Sequence, residues 1–166
     1  MVEFVAVVQG ALGLVFDFTF KLTGAGNVID RLKDLPDKMQ NAIGRRSARR
    51  AMAIVRDAAR VNVRKFDDPE TPDRIWKNVY MQQSRRGSKR IGGVMMKVGI
   101  LGGAKEAKNT GNPGGDTWYW RFIELGKEGQ AAQPFLRPAL ENNANAVADK
   151  LVTEINLELD KLAPGR

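Results

Sequence analysis

Phe16, Phe18, Phe20 and Leu22 alternate with Asp17, Thr19 and Lys21. A period of two puts the apolar set on one side of an extended chain, so this stretch predicts a half-buried strand. Residues 2–8 (VEFVAVV) predict a second strand, with residues 9–13 as the turn between them. The apolar run 4–16 is broken by Gln9, Gly10 and Gly13 and is shorter than the roughly 20 residues a membrane helix needs. Glu3 is the first charge, so the basic flank of a signal peptide is missing. A soluble chain made in the cytoplasm is expected.

After the glycines at 24 and 26 the period lengthens. Residues 28–66 predict helix, with a second start near Pro36 and Asp37 in its first turn, where a carboxylate suits the helix dipole. Ala48, Met52, Val55, Ala59 and Phe66 fall on one face. Arg45, Arg49, Arg56 and Arg60 lie within an arc of about 60° on another, and Arg46, Arg50 and Arg64 widen it. Residues 67–73 (DDPETPD) read as a loop, because their prolines forbid helix. Residues 74–81 predict a helical turn running into a strand, 85–93 (RRGSKRIGG) a basic hairpin tip or flexible loop, and 94–101 the returning strand. Five glycines and a proline make 102–116 a long mobile loop. Residues 118–125 are either strand or short helix. Residues 134–138 read as extended, with Pro138 at the first position of the next helix. Leu140, Ala144, Val147, Leu151, Ile155, Leu159 and Leu162 then follow at steps of three and four, an amphipathic helix closed by Ala163-Pro164-Gly165. The fold class is α+β: a single domain with a small antiparallel sheet packed against a long basic helix and a C-terminal amphipathic helix.

Length and composition narrow the function. The chain has 166 residues, of which 43% are hydrophobic, the size and make-up of one globular domain. It contains neither cysteine nor histidine. A Ser-His-Asp triad, a cysteine nucleophile and a Cys/His zinc site are therefore excluded within the chain. The net charge of +8 is segregated: residues 45–108 hold 17 basic and 6 acidic side chains, whereas 1–44 hold 4 and 5, and 109–166 hold 6 and 8. Such a segment is either the footprint of a polyanionic neighbour or the solvated faces of ordinary elements.

Several constellations bear on chemistry. Pro72-Asp73 with Glu106-x-Lys108 has the outline of a metal-dependent nuclease, but its lysine arm falls in the glycine-rich loop instead of a strand. Asp67, Asp68, Glu70 and Asp73 lack the alternating spacing and central glycine of a calcium loop. No metal and no cofactor is expected, and no enzymatic activity. Arg85, Arg86, Lys89 and Arg90 share one segment, suited to DNA, to an acidic neighbour, or simply to solvent. Trp118, Trp120 and Phe135 serve either as core or as interface anchors. Glu124 and Arg137 are flanked by apolar neighbours, and a buried carboxylate demands a partner. The two are expected to pair and to fix the P-F-L-R-P segment against the aromatic turn.

Residues 118–141 (WYWRFIELGKEGQAAQPFLRPALE) carry a resemblance. Phe122, Glu124 and Gly126 form F-x-E-x-G, and after a short polar loop Pro134, Phe135, Leu136, Arg137, Pro138 and Ala139 form P-F-L-R-P-A. This resembles the tail-completion (head–tail joining) family of long-tailed double-stranded DNA phages. The resemblance covers 16–162, leaving 1–15 as an N-terminal extension, an extra strand or an arm, and 163–166 as a tail. It implies a structural virion protein of the neck, synthesised in the host cytoplasm. Such a protein forms a homo-oligomeric, hexameric ring at the head-proximal end of the tail tube and meets tail-tube and head-connector proteins, with no membrane involved. In such a ring the loop bearing Arg85, Arg86, Lys89 and Arg90 is expected to face the DNA channel, because a flexible tip follows a moving polyanion. The alternative is a free-standing basic nucleic-acid-binding protein.

Overall fold

The computed structural model describes the backbone of residues 4–9 and 15–19, and residues 26–67, 69–102 and 111–162 in full. In chain order the elements are β1 (Phe4–Gln9), β2 (Val15–Thr19), α1 (Gly26–Lys33), α2 (Asp37–Val63), α3 (Ile75–Asn78), β3 (Val79–Gln83), α4 (Arg85–Ile91), β4 (Val94–Ile100), α5 (Trp120–Leu125), α6 (Leu136–Glu141) and α7 (Ala144–Asp160). The fold is α+β, and no helix among the described residues is long and apolar enough to cross a membrane.

Four strands pair in the order β2-β1-β4-β3. The β1–β2 and β3–β4 pairs are antiparallel, while β1 runs parallel to β4, the connection between them passing through the helical segment. Phe4–Gln9, within the stretch expected as an extra strand or an arm, is thus an interior strand. Phe20 and Leu22, expected in the second strand, lie outside the described residues.

The period of α2 decides the layering. Ile43, Ala48, Ala51, Met52, Val55, Ala59 and Val63 are all buried. They meet the face of β4 made by Val94, Met96, Val98 and Ile100, and the buried stripe of α7 made by Val147, Leu151, Ile155 and Leu159. Phe66, also expected on this face, is only partly buried against the core. On the other side of the sheet Met95 packs with Ile91 of α4.

Three local expectations need correction. Residues 85–93 are not a flexible tip but the helix α4. Ser84 caps it, its Oγ accepting from the Gly87 amide at 3.2 Å, and Gly92 ends it in the left-handed region at φ 65°. Ser88 Oγ accepts from the Met95 amide at 2.9 Å and so ties the helix to β4. Gly92 is thus a helix terminator, and Gly87 allows a close approach to Met95. Of the segment read as mobile, 103–110 lie outside the described residues, but 111–116 are pinned. Fully buried Asn78 donates to the Gly115 carbonyl at 3.0 Å and to Thr117 Oγ1 at 2.8 Å, and accepts from the Gly114 amide at 2.8 Å. A Cβ on Gly114 would strike the Arg74 carbonyl. Finally, α6 begins at Leu136, two residues before the expected start, so Pro138 stands within its first turn, and the single helix expected from there to Leu162 is broken at Asn142 and Asn143 into α6 and α7.

Charge also fixes how α7 lies on α2. Arg46 pairs with Glu158 at 2.8 Å, and Arg50 reaches Glu154 at 2.8 Å and Glu158 at 2.9 Å. Lys150 and Lys161 add bridges of 2.9 Å from α7 and its end. The Glu154 and Glu158 side chains are only 8% and 6% exposed, so the cations are what allow them to stay ionised there. Hydrogen bonding by Lys161, joined by Arg50, holds the Glu158 carboxyl down at about 2, and Lys150 with Arg50 lowers Glu154. Folding therefore favours the ionised carboxylates. Their contribution is complete above the ordinary carboxylate range and is lost as pH falls towards about 2. The melting temperature is expected to drop on acidification through that window. Glu158→Gln, less stable at neutral pH, should show a visibly shallower drop in the same titration by circular dichroism.

Candidate functional site

Two arrangements deserve description as sites: a cationic trough along one sheet edge, and the linkage that joins the two halves of the 118–141 segment.

The arginines expected on one face of α2 divide by partner. Arg46 and Arg50 belong to the α7 clamp. Arg56 holds Asp57 through two bonds of 2.8 and 2.9 Å, which raises the guanidinium and lowers the carboxyl. Arg60 donates to the Val79 carbonyl at 3.0 Å and lies 3.6 Å from Asp57. Arg64 stacks over the Trp76 ring at 4.3 Å. Arg45 donates its Nε to the Asn41 carbonyl at 3.1 Å and is paired with no carboxylate among the described residues. Arg49 is exposed and has no side-chain partner among them.

Arg45 and Arg49 overhang β3, the outer strand of the sheet. Three adjoining depressions of about 350, 490 and 440 Å³ form one trough between α2 and that strand, sharing Arg49, Arg45 and Gln83 as common walls. Lys38 and Lys89 stand at one end, and Arg60 and Lys77 at the other. None of the described residues lining it is acidic. Lys38, Lys77 and the β3 edge were missed by sequence reasoning, because only the fold brings them beside α2.

Arg85, Arg86, Lys89 and Arg90 are all exposed on α4. At 100° per residue they span about 140° of its circumference. Gly87 and Ser88, on the opposite side, are buried against β4. The four cations thus share a rigid outward face, and Lys89 links that face to the trough.

In the 118–141 segment, Trp120 is core while Trp118 is only partly buried. Trp118 packs edge-on against Tyr119 and Phe122, with ring centroids 6.5 and 5.6 Å away. Arg121 lies 4.7 Å and Lys127 5.7 Å from the Phe122 ring, so this aromatic group is capped by cations. Phe135 is completely buried. Of the three residues read as either core or interface, Trp120 and Phe135 are core.

Glu124 is 4% exposed. Its Oε2 accepts from the amides of Phe135 at 2.7 Å and Leu136 at 3.0 Å, and its Oε1 from the amide of Arg137 at 3.2 Å. The expected Glu124–Arg137 contact is therefore made through the Arg137 main chain, and the Arg137 side chain is exposed. The reason lies in α6. A helix start leaves its first amides without partners, and here those of Phe135 and Leu136 are buried and that of Arg137 part-buried. Pro138 supplies none, so the three ahead of it make the full complement, and one carboxylate takes them all. A negative charge at a helix start is also favoured by the peptide dipoles. Gly126 brings the chain round: at φ 78° it is left-handed, and a Cβ would come within 2.9 Å of the Ala132 nitrogen. The turn closes with the Ile123 carbonyl accepting from the Gln133 amide at 2.7 Å.

The nuclease outline is not assembled among the described residues, since Glu106 and Lys108 lie outside them. Asp73 Oδ1 instead accepts from the Asp116 amide, and Asp67 caps α3 by accepting from the Ile75 and Trp76 amides at 2.8 and 3.2 Å.

No protein-family model, curated protein or solved structure matches this chain.

Glu124→Ala strands two buried donors and a part-buried one, and is expected to cost about 3 kcal/mol in urea unfolding. Glu124→Gln, which keeps acceptor oxygen, should cost roughly half as much, whereas Arg137→Ala should cost clearly less than Glu124→Ala, because this linkage uses only the Arg137 backbone.

Proposed function

We propose that this chain is a non-enzymatic, structural component of a long-tailed phage neck. It assembles as a homo-oligomeric ring that completes the head-proximal end of the tail tube and helps join tail to head. The observation that carries this reading is the Glu124 linkage. F-x-E-x-G and P-F-L-R-P-A, the two pieces that resemble the tail-completion family, are bonded to each other through one buried carboxylate. They form one structural device, which favours reading them together over reading them as chance neighbours. Localisation in the virion, contact with tail-tube and connector proteins, and hexameric symmetry follow from the resemblance.

Within such a ring the α4 face is assigned to the channel. Arg85, Arg86, Lys89 and Arg90 project together from the outer face of a short helix, which supports that assignment without a flexible tip. Contacts from such a face go to phosphates, carry no base preference and weaken with salt. The same face is what favours the second reading, a free-standing nucleic-acid-binding protein.

Native mass spectrometry and negative-stain images of the protein with tail tubes are expected to show a closed ring. A strictly monomeric protein found nowhere on the particle sinks the phage reading, and salt-dependent DNA binding by that monomer establishes the second. Replacing the four α4 cations with serine should leave the melting temperature nearly unchanged and reduce genome retention in particles. An assembled neck with α4 on its outer rim overturns the channel assignment alone.

A further inference from the structure

We propose that the trough beside β3 takes an extended acidic segment of a partner protein as an added strand, bonded to the main chain at Met81 and Gln83 and paired through its carboxylates with Arg45 and Arg49.

The first ground is the edge itself. β3 is the outer strand, paired among the described residues to β4 alone. Ser84 donates its amide to the Met95 carbonyl, and Leu101 donates to the Asn78 carbonyl. Partners in an antiparallel ladder alternate, so residues 80 and 82 exchange their bonds with β4, while 79, 81 and 83 turn N–H and C=O outward. Val79 verifies the direction, since its carbonyl accepts from Arg60 at 3.0 Å. Arg60 closes that end, and Met81 and Gln83 keep an outward donor and acceptor each, one strand repeat apart. The strand (VYMQQ) holds none of the lysines or prolines that usually guard an exposed edge.

The second ground is charge and spacing. Arg45 and Arg49 are one helical turn apart, a rise of about 6 Å. Side chains on one face of a strand repeat at roughly 6.7 Å. Alternate carboxylates of an added strand therefore meet successive guanidinium groups. Lys89 and Lys77 extend the attraction at the two ends.

A peptide strand fits better than a nucleic acid. The trough floor offers carbonyl oxygens as well as amides, and phosphates are repelled by the former while a peptide satisfies both. Such a main-chain addition takes affinity from the edge and specificity from alternate side chains. The trough would take such a strand whether or not the chain is part of a virion.

The test uses the full chain and fluorescein-labelled Glu-Val-Glu-Val-Glu-Val-Glu in anisotropy titrations at low salt. Two further versions carry N-methyl groups on alternate amides, one on the odd residues and one on the even. The unmodified peptide is expected to bind. One methylated version should lose about tenfold or more in affinity, while the other stays within about threefold, because only one set of amides faces β3. The double variant Arg45→Ser/Arg49→Ser, with folding checked by circular dichroism, should lose about tenfold. Amide exchange at Met81 and Gln83 should slow when peptide is bound. Equal binding by both methylated peptides overturns the proposal, as does binding indifferent to the arginine replacements. Tight binding of a labelled oligothymidylate with none of the peptide overturns it in favour of a nucleic-acid groove.

Discussion

The placement of guanidinium groups on α2 constrains everything around it. The helix has 27 residues and six arginines, and it also carries the largest apolar stripe of the core. Cations flank that stripe on both sides. A second helix can cover the stripe only if it brings carboxylates for the flank it overlies, since a charge left unpaired at low exposure costs several kcal/mol, roughly. α7 meets the condition with Glu154 and Glu158 against Arg46 and Arg50. The opposite flank, at Arg45 and Arg49, has no such partner among the described residues and stands over the sheet edge. The cationic trough and the α2–α7 packing are two outcomes of one distribution of charge.

Much of this was legible as periodicity. The helix α2, the apolar stripe of α7 and the strand 94–100 were expected from the sequence, and each buries a row of apolar side chains. The interhelical clamp was also written in the chain, as two arginines and two glutamates each four residues apart, but choosing that match among many charges needs the fold. α4 was misread for a reason of scale. Seven residues hold less than two turns, so basic residues and glycine resembled a loop, and the cap at Ser84 and the left-handed Gly92 were the better signal. The trough has no linear signature: Lys38, Gln83 and Lys89 meet only because β3 ends the sheet.

The Glu124 reading was half right, and the error is physical. An apolar setting correctly marks a carboxylate that needs donors. The nearest cation is the obvious candidate in a string of side chains. Main-chain amides are invisible in that string, yet a helix start that contains proline concentrates them, and three converge here. Where a buried acid precedes a proline-marked helix start, the backbone is a competitor to any arginine.

That geometry has a consequence for how the segment tolerates change. The carboxylate recognises peptide N–H groups at residues 135–137, so the side chains there answer to other demands, which for Phe135 and Leu136 are those of the core. Glu124 has no such latitude, because no other residue type offers two anionic oxygens at that reach except a shorter aspartate. Variation should therefore be asymmetric across the bond, narrow at 124 and set at 137 by something other than the carboxylate, and a search for paired substitutions between the two would find none although they touch.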